Sequence, residues 1–333
     1  MPFAALRNPI SKKFLIERHT VVCTPSLRIL KQCDRRLKAL QRTPLMESTG
    51  AALVLGDPAF SRAADRLDAT EPEADTIAGI LGYQNVQLLK GKQALKAEVV
   101  KWVQLATTSE KHQAVMHLAT HGRVDPNARA FKEGALEFAD PKVQTWPPVL
   151  SAQPTRPAQH GHGMTSNLGV HGPSTSSASS VEPLEAQEPA AHGRGPPASK
   201  AGDSRHLTSG EIVNHYEWRM LLAVLSACET AKGEVKSEGT FSLARALLIG
   251  GVPSTVVSLW KVDDASAPVL MEGLYKAMMS GKVDVASALC GAMRAMIRDG
   301  YHVCQWAPFI VMGLGTVELP KQFRRRMIAQ TKQ

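Results

Sequence analysis

Long apolar runs are missing from this sequence. None approaches the roughly 18–20 consecutive apolar residues that cross a bilayer, so no membrane span is expected. Cysteine is scarce and odd in number: Cys23, Cys33, Cys228, Cys290 and Cys304, with no C-x-x-C pair. That count argues against a disulfide framework and against a structural zinc site. It fits a reducing, intracellular compartment, read here as cytoplasmic. Residues 1–20 carry Pro2, Pro9 and several charges in place of the apolar stretch and small-residue cleavage site of a secretory signal. Aromatics make up only 5%, so a core must rest on Leu, Val, Ala, Ile and Met. No helix-pair repeat with a period of about 34 residues is present. No cofactor or metal is expected.

What is present is a globular composition. Hydrophobic residues make up 44% of 333, enough for a sizeable core. The net charge of +9 is concentrated at the ends, at Arg28, Lys31, Arg35, Arg36, Lys38 and Arg42 and again at Lys321, Arg324, Arg325 and Arg326. Such clusters can attract nucleic acid. No aromatic residues interleave the first cluster as base stacking requires, so both read as solvated helix faces and tails.

The chain divides by pattern. Residues 1–49 read as a basic N-terminal segment, partly packed on the domain. They hold one helix near 25–41, with Leu27, Leu30, Leu37 and Leu40 at near-helical spacing. Residues 50–140 alternate short apolar strands with helices. Strands are expected at 51–55, 86–89 and 114–119, with a small outlying one at 135–138, and helices at 71–81 and 92–105. Gly56-Asp57-Pro58 reads as a turn. Residues 141–205 are rich in Pro, Ser, Gly and His and poor in Ile, Leu and Phe. They read as a disordered insertion, because so little apolar surface cannot offset the entropy of ordering. His160, His162, His171 and His192 within it are spaced too irregularly for a metal tract. Order resumes over 206–318, with a helix capped by Thr208 or Ser209. Strands follow at 221–226, 254–259 and 309–312, with helices at 239–249, 265–279 and 283–298. Residues 319–333 form a basic tail.

Short apolar strands between amphipathic helices imply an α/β fold whose mostly parallel sheet is covered on both faces. In such sheets chemistry gathers just past the carboxyl ends of strands. His121 and Cys228 both fall there. A thiol attacks a carbonyl as thiolate, and a neighbouring imidazole takes its proton and later delivers it to the leaving amine. Gly122 allows a sharp turn with a free amide, and the Cys228 amide lies beside the sulfur. Together they could form an oxyanion hole. By residue type alone, a cysteine at a strand end also reads as a small buried apolar group, and a histidine as a hydrogen-bonded structural one.

Longer motifs add weight. In order they are Phe14-Leu15-Ile16-Glu17-Arg18, His117-Leu118-Ala119-Thr120-His121-Gly122, and Val224-Leu225-Ser226-Ala227-Cys228-Glu229-Thr230. Gly250-Gly251, Ser258-Leu259-Trp260-Lys261-Val262-Asp263-Asp264 and Trp306-Ala307-Pro308-Phe309 follow. Over about residues 14–140 and 206–318 the sequence resembles the CHAT family. That domain is commonly attached to tetratricopeptide repeats and belongs to the caspase and separase clan of cysteine peptidases. The resemblance implies a caspase-like sheet, with His121 as general base, Cys228 as nucleophile, and the Gly122 and Cys228 amides at the oxyanion. It implies a substrate groove along Ser258, Leu259, Trp260 and Lys261, with Asp263 and Asp264 as candidates for a basic-residue pocket. Helix capping is the competing role for the two aspartates, and packing for Trp260. Cys23, Cys33, Cys290 and Cys304 are assigned to packing, and His117 to the pleat of its strand. The implied partner is a protein or peptide substrate. The alternative is a catalytically silent interaction module of a repeat scaffold.

Overall fold

Seven strands form the main sheet of this computed structural model. It describes residues 2–62, 65–124, 134–143, 205–226, 228–229, 237–260, 262–263, 265–281, 283–321 and 323–324, with backbone alone at 123–124, 228–229 and 237–240. The strands are β1 (Val22–Cys23), β2 (Ala52–Pro58), β3 (Val86–Gly91), β4 (Gln113–Leu118), β8 (Met220–Leu225), β10 (Ser254–Ser258) and β11 (Phe309–Gly313). They lie in the order β1-β11-β10-β8-β4-β2-β3. Only β10 and β11 pair antiparallel; every other neighbouring pair is parallel. A second sheet of β5 (His121–Val124), β6 (Gly134–Glu137), β7 (His206–Thr208) and β9 (Cys228–Glu229) has the order β7-β6-β5-β9.

The alternation of strand side chains separates two cores. Val54, Val115, Leu222 and Val224 face one side, with the buried residues of α2 (Thr70–Leu81), α6 (Ala267–Ser280) and α7 (Val285–Arg298). Leu53, Leu55, Met116, Ala223 and Leu225 face the other, with those of α3 (Lys96–Thr108) and α5 (Ser237–Gly250). α4 (Ser209–Asn214) opens on a capping box. The Thr208 hydroxyl accepts from the Glu211 amide, and the Glu211 carboxylate accepts from the Thr208 amide. Lys96 Nζ then donates to Glu211 Oε1 at 2.6 Å and ties this segment to α3. α7 is capped by Asp284, which accepts from the Ser287 amide at 2.7 Å. α8 (Val303–Trp306) completes the helices of the described residues.

Two local expectations are corrected. Gly56-Asp57-Pro58 is not a turn: it extends β2, with a register shift against β3 between Gly56 and Pro58. Gly56 is required there, because an added Cβ would meet Ala74 Cβ of α2 at 2.8 Å. The helix at 25–41 is α1 (Leu27–Leu40), but Leu27 is 81% exposed and Cys33 and Leu40 are its buried residues. Leu27 opens the helix, before any turn of it faces the core.

The N-terminal segment contributes more than irregular packing. β1 adds an edge strand beside β11, and Ile16 is buried in the core around α7. The insertion read at 141–205 falls almost wholly outside the described residues, as does most of the tail at 319–333. The described flanks of the insertion converge. β6 and β7 pair antiparallel, and the Phe138 amide donates to the Arg205 carbonyl at 2.8 Å. No described helix is long and apolar enough to cross a membrane.

Candidate active site

β4 and β8 are parallel neighbours, with Leu118 opposite Leu225. Their continuations stay together: the Ser226 amide donates to the Leu118 carbonyl at 3.0 Å. Past that bond the chain enters the second sheet, where His121 of β5 is the ladder partner of Cys228 of β9. On its other flank His121 is registered opposite Glu137 of β6. The two sequence candidates therefore meet, as backbone partners, at the carboxyl edge of the main sheet.

The imidazole of His121 is 4% exposed. Its ring lies 4.8 Å from that of Phe60, tilted by 35°. Nε2 is 2.6 Å from the carbonyl oxygen of Asp65. A carbonyl can only accept, so Nε2 carries the proton, and in the neutral ring Nδ1 is the nitrogen with the lone pair. Both contacts come from the loop after β2. A buried ion pair holds that loop: Arg66 donates to Asp57 Oδ2 at 3.1 Å and to Oδ1 at 3.3 Å. Asp57 is 2% exposed, and burial pushes its carboxyl up despite the guanidinium.

Gly122 does not make a turn. It lies within β5, registered with Leu136 on one side and Glu229 on the other. The adjoining bend occurs earlier, at Thr120. Ser258 ends β10, beside β8, and is 1% exposed. Leu259 is buried, and its amide donates to the Pro308 carbonyl at 2.8 Å. Trp260 is half-buried and packs against both cores. Lys261 and Asp264 lie outside the described residues. Asp263 does not cap α6 with its carboxylate. Its backbone carbonyl accepts from the Ser266 and Ala267 amides, and Oδ2 accepts from Gln305 Nε2 at 3.4 Å.

Three features escaped the sequence reading. Phe60 and Asp65 act through a ring face and a backbone carbonyl, neither of which has a motif. His117 is more than a pleat residue. It is fully buried between α2 and α6, with Nε2 3.1 Å from Glu73 Oε1 and Nδ1 3.2 Å from the Tyr275 hydroxyl. The Glu73 contact is bent away from hydrogen-bond geometry, so it is a close polar contact and not a directed bond. Cys304 is not a packing residue: it is exposed, with Sγ 3.1 Å from His302 Nδ1.

A mostly parallel α/β sheet, with a histidine and a cysteine strand paired at its carboxyl edge, defines the class of fold. The CHAT domain model matches residues 1–314, and the chain belongs to that family. Among curated proteins it is similar to tetratricopeptide repeat protein 28 of Homo sapiens, 25% identical over 94% of this chain and 11% of the relative. It is similar also to tetratricopeptide repeat protein 28 of Mus musculus, 26% identical over 94% of this chain and 12% of the relative. The chain thus spans only a small part of the length of the curated relatives it matches. Among solved structures, the Arg-specific cysteine proteinase gingipain R overlays with a TM-score of 0.43 at 9% identity, covering 86% of this chain and 52% of that one. The complex of Porphyromonas gingivalis RgpB pro- and mature domains gives 0.43 at 10%, covering 85% and 53%. Overlays this distant carry no argument about activity.

Proposed function

We propose that this CHAT domain is a cysteine endopeptidase of the caspase and separase clan, with Cys228 as nucleophile and His121 as general base. The observation that supports this best is the ladder pairing of the two residues, together with the carbonyl of Asp65 on His121 Nε2. Ladder neighbours have backbones about 5 Å apart, close enough for a thiol and an imidazole to share a proton.

In this mechanism His121 Nδ1 takes the Cys228 proton, and the thiolate attacks the scissile carbonyl. The Asp65 carbonyl holds the Nε2–H and favours the imidazolium that forms. The amides of Gly122 and Cys228 receive the oxyanion, which requires the ladder at Gly122 to open. The imidazolium then protonates the leaving amine as the C–N bond breaks. Water, deprotonated at the same nitrogen, hydrolyses the thioester and restores the thiol. Ser258 to Lys261 would flank the substrate, with Asp263 and Asp264 available to a basic side chain. Protein or peptide substrates in the cytoplasm fit this reading.

His121 lies beneath Phe60, so access requires the loop after β2 to move. The same burial favours a second reading, a catalytically silent interaction module of a repeat scaffold. A peptide electrophile ending in Arg or Lys, applied in a Cys304→Ser background because Cys304 is exposed, separates the two. Labelling confined to Cys228 and lost in His121→Ala supports the peptidase. Labelling indifferent to His121, or spread over the cysteines, supports the silent module.

A further inference from the structure

The amino-terminal edge of the main sheet carries a cleft of about 520 Å³, far from the histidine and cysteine strands. β4 and β8 each run for six residues, about 20 Å from one edge to the other. Pro44 and Leu221 supply apolar wall, and Arg324, Lys321, Glu318 and His112 supply polar groups. Arg324 is only 7% exposed, yet its Nη1 finds no hydrogen-bond partner among the described residues. Its Nη2 is 3.8 Å from Glu318, whose carboxylate is nearly half exposed. A buried guanidinium nitrogen with no acceptor is costly unless something else supplies one.

The charge of the lining selects the acceptor. Among the described lining residues, two cations, Arg324 and Lys321, stand against one carboxylate, Glu318. His112 is 5% exposed, and burial pulls its basicity down, so it adds no charge at neutral pH. The Thr43 hydroxyl donates to the Leu40 carbonyl, so His112 Nδ1 donates to Thr43 at 3.1 Å. The site is left one positive charge in excess. That matches a carboxylate better than a phosphate dianion, and the walls favour an apolar body behind it.

We propose that this cleft binds a carboxylate carried on an apolar body, with the Arg324 guanidinium as the principal donor and Lys321 assisting. The carboxylate comes from a free hydrophobic acid or from the C-terminal residue of a peptide.

Calorimetry or NMR titration of the full chain with N-acetyl-L-leucine, N-acetyl-L-leucinamide and hexanoate tests this. N-acetyl-L-leucine should bind saturably, with the amide at least about tenfold weaker. Arg324→Gln should weaken the acid at least about tenfold, and Lys321→Gln, at an exposed position, severalfold. Hexanoate matching N-acetyl-L-leucine identifies a free acid as the source; hexanoate binding much more weakly identifies a peptide end. The proposal is overturned if the amide binds as well as the acid, or if no binding is seen at about 10 mM. It is equally overturned if both substitutions leave affinity unchanged. Should Arg324→Gln fail to fold, Lys321→Gln and the acid-to-amide comparison still decide the matter.

Discussion

His121 and Cys228 are ladder partners across β5 and β9, although a long insertion separates them in sequence. The pairing follows from the main sheet. β4 and β8 are already registered through Leu118 and Leu225, so the next residues of each emerge side by side. The insertion leaves and returns near β6 and β7, which pair with each other. Its length therefore need not disturb the meeting of the two strands.

The Arg66–Asp57 pair sets the loop that covers His121. Arg66→Met should destabilise the fold by about 3–5 kcal/mol, because it leaves a buried carboxylate uncompensated. The Asp57 carboxyl titrates above its ordinary value in the folded protein, so its ionisation costs stability as pH rises from near 4. The penalty in Arg66→Met should shrink in acid, and Asp57→Asn should rescue it in part. Urea unfolding of the two single variants and the double variant, at pH 4 and pH 7, checks both statements.

His112 gives a slope of the opposite sign. Burial lowers its basicity below the ordinary 6.5, so between that value and the folded one the unfolded chain binds more protons. Stability from this group is complete above pH 6.5 and is lost as pH falls through the folded value. Thermal melts of the native protein should show a decline below pH 6.5 that His112→Asn reduces. One such group steepens the decline by at most about 1.4 kcal/mol for each step of one in pH.

The thiols should differ in reactivity. Burial pushes the Cys33 thiol up to about 11 and raises Cys23 as well, whereas Cys304 is exposed beside His302. Brief iodoacetamide treatment of the native protein at neutral pH, read by peptide mass mapping, should modify Cys304 and leave Cys33 intact. Electrophile experiments on Cys228 therefore need a Cys304→Ser background.

Much of the fold was legible because its strands are nearly continuous apolar runs. Val54, Val115, Val224 and Val256 mark four adjacent parallel strands, and each run ends where polar residues begin. The places of His121 and Cys228 just past two such ends were readable for the same reason. What was not readable depends on contacts between distant segments. The Asp65 carbonyl on His121 is a backbone atom, and every residue type carries one. The Gly56-Asp57-Pro58 turn was a misreading because β3 draws those residues into its ladder. Gly122 looked like a turn glycine because its flanking partners, Leu136 and Glu229, lie far away in sequence. The exposure of Leu27 follows from its place at the start of α1, which helical spacing does not encode.

The pH dependence of Cys228 alkylation, in a background with the other four cysteines replaced, tests the pairing most directly. If the imidazole of His121 shares the thiol proton, the apparent thiol pKa should lie at least about one unit below the free value near 8.5, and His121→Ala should return it there. A Cys228 that titrates near 8.5 both with and without His121 would contradict the account.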